Sequence, residues 1–281
     1  MPVSQSTNPE IGKSVNIGRY NVNYLEEGTG EPVILLHGSG PGVTAYANWR
    51  LLIPVLANQY RVLAPDVVGF GYTDHPENFV YTMDSWIEFA VQFMDAIGVQ
   101  KASFVGNSFG GALSLALAAR YPDRVQCFVM MGAAGIQFPI SEGLEKVWGY
   151  QPSFEAMREL MNIFAYQGEK ISDEIVESRY QASIRPGYQE AYERLFPEPR
   201  QEKLDQLCIP ESEIRQVEQP VLLVHGREDV IVPVDCSFRA HAMLKNSDLH
   251  VYSNCGHWTQ IEKANEFGAL VCSFIAANTT Q

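Results

Sequence analysis

Gly106-Asn107-Ser108-Phe109-Gly110 stands between a short apolar run, Ser103-Phe104-Val105, and an Ala/Leu-rich stretch from Ala112 to Tyr121. The first reads as a strand and the second as a helix, so the pentapeptide is a strand–turn–helix junction with a serine at its tip. A turn this tight forces the serine into a strained backbone conformation, and glycine on both sides removes the Cβ atoms that would collide. The hydroxyl then projects above the sheet, at a helix N-terminus whose dipole favours developing negative charge. As a bare pattern Gly-x-Ser-x-Gly is also an ordinary turn; the two flanking elements are what make it a nucleophile elbow.

Outward from the elbow, strand-like and helix-like segments alternate. Residues 17–26 alternate apolar and polar like a half-buried strand, and residues 33–36 form a continuous apolar run, the mark of a strand buried on both faces. Residues 61–66 and 125–131 are further strands. Met83, Trp86, Ile87, Ala90, Met94 and Ile97 fall on one helical stripe that Gly98 stops. This rhythm predicts an α/β fold, a mostly parallel central sheet with helices on both faces. From residue 137 to 216 the rhythm is lost; the stretch is rich in Glu, Arg, Tyr and Met, reads as helical and contains no convincing strand. Alternation resumes with residues 221–224, a helix near 236–244, a strand at 249–252 and a closing helix over 261–277. The chain therefore divides into a core, 1–136 and 217–281, and an inserted helical lid, 137–216.

With 46% hydrophobic and 19% charged residues, the 281-residue chain can bury a large core. It carries 20 Lys and Arg against 33 Asp and Glu, a formal charge of −13, which disfavours nucleic acid and anionic membrane surfaces as partners. An anionic substrate would need a cation of its own in the pocket. Residues 1–7 have neither the basic nor the apolar part of a leader, and no apolar run approaches membrane-spanning length. Five cysteines without a CxxC pair suit reduced thiols in a cytoplasmic protein.

A serine hydroxyl needs a base, and the base an orienting acid. His257, in Asn254-Cys255-Gly256-His257-Trp258, lies in a loop after the last strand, from which it can reach back over the sheet edge. His37 and His225 each follow or end a buried strand and read as structural. Asp229 opens a loop after strand 221–224 and gives the order Ser…Asp…His. Glu228 is the rival acid, weaker because the apolar run after Asp229 holds that aspartate against the core. The loop His37-Gly38-Ser39-Gly40-Pro41-Gly42 ends strand 33–36; its Ser39 amide and that of Phe109 would form an oxyanion hole. No Lys-Ser/Thr follows the loop as a phosphate-binding loop requires, and no Cys/His cluster has metal spacing. Asp66, before Gly69-Phe70-Gly71, reads as structuring a turn.

HGSGPG at 37–42, DVVGFGYTD at 66–74, GNSFGG at 106–111, HGREDVIVP at 225–233 and NCGHW at 254–258 together resemble the meta-cleavage-product hydrolases. These are enzymes of the α/β-hydrolase fold that cleave a C–C bond in ring-fission products of bacterial aromatic catabolism. The resemblance spans essentially the whole chain. It implies a substrate of the 2-hydroxy-6-oxohexa-2,4-dienoate type, ketonisation followed by hydrolysis at the triad, no cofactor and a homo-oligomeric assembly. It assigns the substrate carboxylate to Arg179, with Arg185 as the alternative, and places Gly40, Asn48, Asn107 and Trp258 around the same end of the pocket. A carboxylesterase on the same fold is the competing enzyme reading, and a non-enzymatic ligand receptor the competing reading of another class.

Overall fold

A computed structural model describes residues 8–279. The leader reading of residues 1–7 lies outside the described residues. Eight strands form one sheet: β1 (Lys13–Asn16), β2 (Asn21–Glu27), β3 (Pro32–Leu36), β4 (Arg61–Pro65), β5 (Ala102–Asn107), β6 (Val125–Met131), β7 (Val221–Gly226) and β8 (Ser247–Tyr252). Their order is β1-β2-β4-β3-β5-β6-β7-β8, antiparallel where β2 meets β1 and β4 and parallel from β4 through β8. This is the α/β-hydrolase architecture expected from the alternation.

The continuous apolar strands are covered on both faces, and successive residues feed opposite layers. Ile34 and Leu36 of β3 join Phe104, Phe128 and Leu223 under the helices Met83–Ala96 and Phe109–Arg120. Val33 and Leu35 join Val105, Val129 and Val224 under Trp49, Leu56 and the helix Ala264–Asn278. Gly98 follows the first of these helices with φ +72°, the left-handed stop its sequence implies.

Six α-helices and the short 3-10 helix Gly168–Lys170 fill the interval between β6 and β7, with no strand among them; the α-helices are Glu142–Trp148, Phe154–Phe164, Asp173–Ser183, Tyr188–Leu195, Arg200–Gln206 and Glu211–Ile214. Their apolar faces share one core with the sheet, through Leu144, Val147, Met157, Met161, Phe164 and Tyr192. No helix among the described residues is long and apolar enough to cross a membrane.

Two segments differ from the sequence expectation. Residues 17–26 form not one strand but the turn and second arm of a hairpin, because Gly18 turns the chain at φ +95° and Ile17 N–H bonds the Tyr20 carbonyl. The closing helix is broken at Lys263, with φ −125° and ψ 37°, into Thr259–Glu262 and Ala264–Asn278.

Candidate active site

Ser108 caps the helix Phe109–Arg120 at φ 53° and ψ −114°, one of two described non-glycine residues with positive φ. The closeness of the turn explains its glycines. A Cβ on Gly106 would lie 2.3 Å from the Gly110 carbonyl oxygen, and one on Gly110 would lie 2.1 Å from that of Leu36. Either substitution pushes carbon into backbone that cannot yield. The strain is held by Ser108 N–H bonding the Met131 carbonyl at 2.8 Å, and by the Ser108 carbonyl accepting from Gly111 and Ala112. Phe109 is the first residue of the helix, so its N–H has no intrahelical acceptor.

His257 and Asp229 meet: the carboxylate Oδ2 lies 2.7 Å from His257 Nδ1, both side chains being at most 3% exposed. The other oxygen, Oδ1, accepts from the backbone N–H groups of Ile231 and Val232 at 2.8 and 3.0 Å. The apolar run after Asp229 thus donates amides to it. Glu228 turns away, accepting from Cys255 N–H and pairing with Arg227. A second imidazole completes the aspartate's surroundings, with His225 Nε2 3.2 Å from Oδ2 and 2.9 Å from the Val232 carbonyl. Both of those partners are acceptors, so Nε2 carries the proton and Nδ1 accepts from the Ser237 hydroxyl at 2.7 Å. Burial alone would raise the Asp229 pKa. His257 and His225 outweigh it and hold the carboxyl well below the ordinary carboxylate value, so Asp229 is a fixed anion.

His37 is fully buried and differently employed. Nε2 accepts from Val67 N–H at 2.9 Å and Nδ1 donates to the Gly38 carbonyl at 2.7 Å. Burial lowers its pKa to about 4, so it is a neutral brace of the glycine-rich loop. That loop is also tied to the inserted helices: Trp148 Nε1 donates to Ser39 Oγ at 3.1 Å, and the Tyr192 hydroxyl lies 3.1 Å from the Ser39 carbonyl. Asp66 structures a turn as expected, accepting from Ala45 and Tyr72 N–H and from Asn23 Nδ2.

A cavity of about 20 Å³ brings these parts together; Ser108, His257, Ser39, Gly40, Asn107 and Arg179 line it, with Asn48 and Trp258 at one end. Arg179 donates to the Gly42 carbonyl at 3.2 Å and lies against the Trp258 ring, 5.9 Å from its centroid. Its Nε has neither solvent nor partner, and no carboxylate among the described residues lies within ion-pair distance. Arg185 is elsewhere, stacked 4.0 Å above Tyr72 and bonded to the Gly71 carbonyl.

The sequence did not single out Phe164, whose ring stacks on Trp258 at 4.7 Å and whose carbonyl accepts from His257 N–H at 2.8 Å. Nor did it identify the apolar wall beside Ser108. Leu144, Val147 and Ile231 line the cavity there. An amphipathic stripe in 154–164 marks Phe164 as buried, but only the packing of the inserted helices shows against what.

Among protein families, the α/β hydrolase fold matches residues 31–264. The chain is 49% identical to a 2-hydroxymuconate semialdehyde hydrolase of Pseudomonas sp. strain CF600, over 95% of each chain. It is 47% identical to a 2-hydroxy-6-oxo-2,4-heptadienoate hydrolase of Pseudomonas putida, over 97% of this chain and 99% of that one. A solved meta-cleavage product hydrolase from Pseudomonas fluorescens superposes with a TM-score of 0.95 at 50% identity, covering 97% of this chain and 100% of the other.

Proposed function

The chain belongs to the meta-cleavage-product hydrolases of the α/β-hydrolase family, and on that basis we propose how its own residues cleave the C–C bond of a 2-hydroxy-6-oxohexa-2,4-dienoate. The products are 2-hydroxypenta-2,4-dienoate and a small carboxylic acid. The observation that carries this reading over an ordinary esterase is Arg179. A guanidinium without a carboxylate partner, in the cavity that holds Ser108 and His257, is what a substrate carboxylate needs and a neutral ester does not.

Arg179 takes the carboxylate, with Asn48, Asn107, Gly40 and Trp258 around that end. The dienol first ketonises, a proton reaching C5 with His257 assisting. This converts the C5–C6 bond into one whose electron pair can leave as a stabilised enolate. His257 then removes the Ser108 proton, and the alkoxide adds to the C6 carbonyl. Amides of Ser39 and Phe109 hold the resulting oxyanion, a contribution worth about 3 kcal/mol per donor in related sites. Collapse breaks C5–C6, and the imidazolium of His257 returns its proton to the departing dienolate, giving 2-hydroxypenta-2,4-dienoate; the neutral imidazole then deprotonates the water that releases the acid from Ser108. Asp229, fixed as an anion, keeps the His257 Nδ1 proton in place so that Nε2 can act as the base.

The narrow wall of Leu144, Val147 and Ile231 favours a small C6 substituent, hydrogen or a short alkyl group, in keeping with the names of the two relatives above. The inserted helices 137–216 act as a lid, and the protein works in the cytoplasm as a homodimer or larger homo-oligomer. Mixing the enzyme with 2-hydroxymuconic semialdehyde should bleach the yellow dienolate. Persistent colour alongside brisk p-nitrophenyl ester hydrolysis would make it a carboxylesterase instead.

A further inference from the structure

The cavity at Ser108 is small, yet a second one of about 260 Å³ adjoins it between the core and the inserted helices. Asn48, Arg179 and Trp258 line both, so the partition between the two spaces is the carboxylate end of the site itself. The outer space has an apolar side, Ile171, Ile175 and Ile261, and a cationic one, Arg50. Arg50 donates to the Ala47 carbonyl at 2.7 Å and has no carboxylate within ion-pair distance among the described residues. Two carboxylates do line the space. Glu10 is engaged by the Thr44 and Tyr72 hydroxyls, and Glu174 is exposed on the first turn of the helix Asp173–Ser183. Three residues of the wall keep a polar atom that has neither solvent nor partner: Asn48 Nδ2, Arg179 Nε and Gln260 Oε1. Asn48 Nδ2 and Arg179 Nε are donors that a ligand's oxygens would satisfy, whereas Gln260 Oε1 is an acceptor that needs a donor.

We propose that this outer cavity is a staging site for a dienoate carboxylate, with Arg50 as the first cation it meets and Arg179 as the second. A short unsaturated chain lies along the isoleucines while its carboxylate passes from one guanidinium to the other. In a chain of charge −13, an unpaired cation at this position also supplies the local attraction that the bulk surface denies to an anion. The occupant is either substrate arriving or product leaving, and the two share the same chemistry. The inference rests on the dienoate reading above.

Arg50→Gln tests it, with Arg50→Lys as the charge-preserving partner and retained Tm as the check on folding. For Arg50→Gln, kcat/KM for 2-hydroxymuconic semialdehyde should fall about tenfold relative to that for neutral p-nitrophenyl acetate, kcat moving less, and should lose part of its ionic-strength dependence. Arg50→Lys should recover most of the loss. Inhibition by hexa-2,4-dienoate, a stable mimic of the departing dienoate, separates the sources. Weakened inhibition with kcat/KM unchanged assigns the site to product; lowered kcat/KM with inhibition unchanged assigns it to substrate. If both match the wild type, the staging site is wrong while the function stands. A wild-type enzyme that fails to bleach the dienolate removes the function itself.

Discussion

At the Asp229 end of the site, none of the buried side-chain nitrogens and oxygens of Asp229, His225, His257 or Ser237 lacks a hydrogen-bond partner; at the Arg179 end, Arg179 Nε and Asn48 Nδ2 do. The first end is built from the sheet: β7 and the loops after β7 and β8 bring an aspartate, two imidazoles and two backbone amides into one network. The second joins a residue of the inserted helices to residues of the core, and it leaves a charge without a counterion. A filled network fixes protonation states in advance, which is what proton transfer requires. An unfilled one is costly alone and becomes satisfied only when a ligand brings the missing acceptors. Chemistry and recognition are therefore separable in this molecule, and substitutions can be aimed at either.

The largest effect is expected from Asp229→Asn. The amides of Ile231 and Val232 would hold the new side-chain oxygen, leaving its NH₂ against His257 Nδ1. That forces the proton onto Nε2 and disables the base, so kcat should fall about 10⁴-fold, as wrong-tautomer substitutions do in other triads. A loss below tenfold would show that the network does not set the tautomer. Arg179→Gln comes next. Dienoate kcat/KM should drop about 10²–10³-fold, and neutral ester turnover far less. Because the substitution removes a largely sequestered charge without a counterion, Tm should hold or rise; a clear fall in Tm would mean that the contacts with the Gly42 carbonyl and the Trp258 ring outweigh the cost of that charge. The smallest concerns His37, which belongs to the filled half. The unfolded chain takes up a proton near the ordinary value of 6.5, while the folded one resists until about 4. Stability contributed by His37 is thus present above pH 6.5 and lost as pH falls towards 4, by up to about 3 kcal/mol. In denaturant titrations the deficit of His37→Asn relative to wild type should shrink over that window. A deficit independent of pH would sink the neutral-brace assignment.

How much of this was legible in the sequence depends on how local each feature is. The elbow is a contiguous strand–turn–helix, so its glycines and its positive φ at Ser108 could be anticipated. Asp229 could be separated from Glu228 because the residues that donate to it follow directly in the chain. His225 reads from sequence as structural, and its hold on Asp229 depends on Ser237 and Val232, side-chain and carbonyl contacts that periodicity does not encode. Arg179 and Arg185 are six positions apart with similar neighbours; only helix packing turns one towards Ser108 and the other onto Tyr72. The hairpin at Gly18 escaped notice because a single glycine within an alternating run keeps the two-residue period while reversing the chain. The wall residues Leu144, Val147 and Ile231 escaped for the opposite reason, since the inserted helices are apolar at many positions and the sheet selects among them.

One carbonyl oxygen, that of Phe164, receives the main-chain N–H groups of both His257 and Trp258, at 2.8 and 3.2 Å. The last residue of an inserted helix is in this way latched to the loop that presents the imidazole. Any swing of that helix wide enough to admit a guest must either drag the imidazole along or break the latch, so the doorway and the trigger share a single pivot. Were the helix to move so, the imidazole would be out of place until those two bonds re-formed.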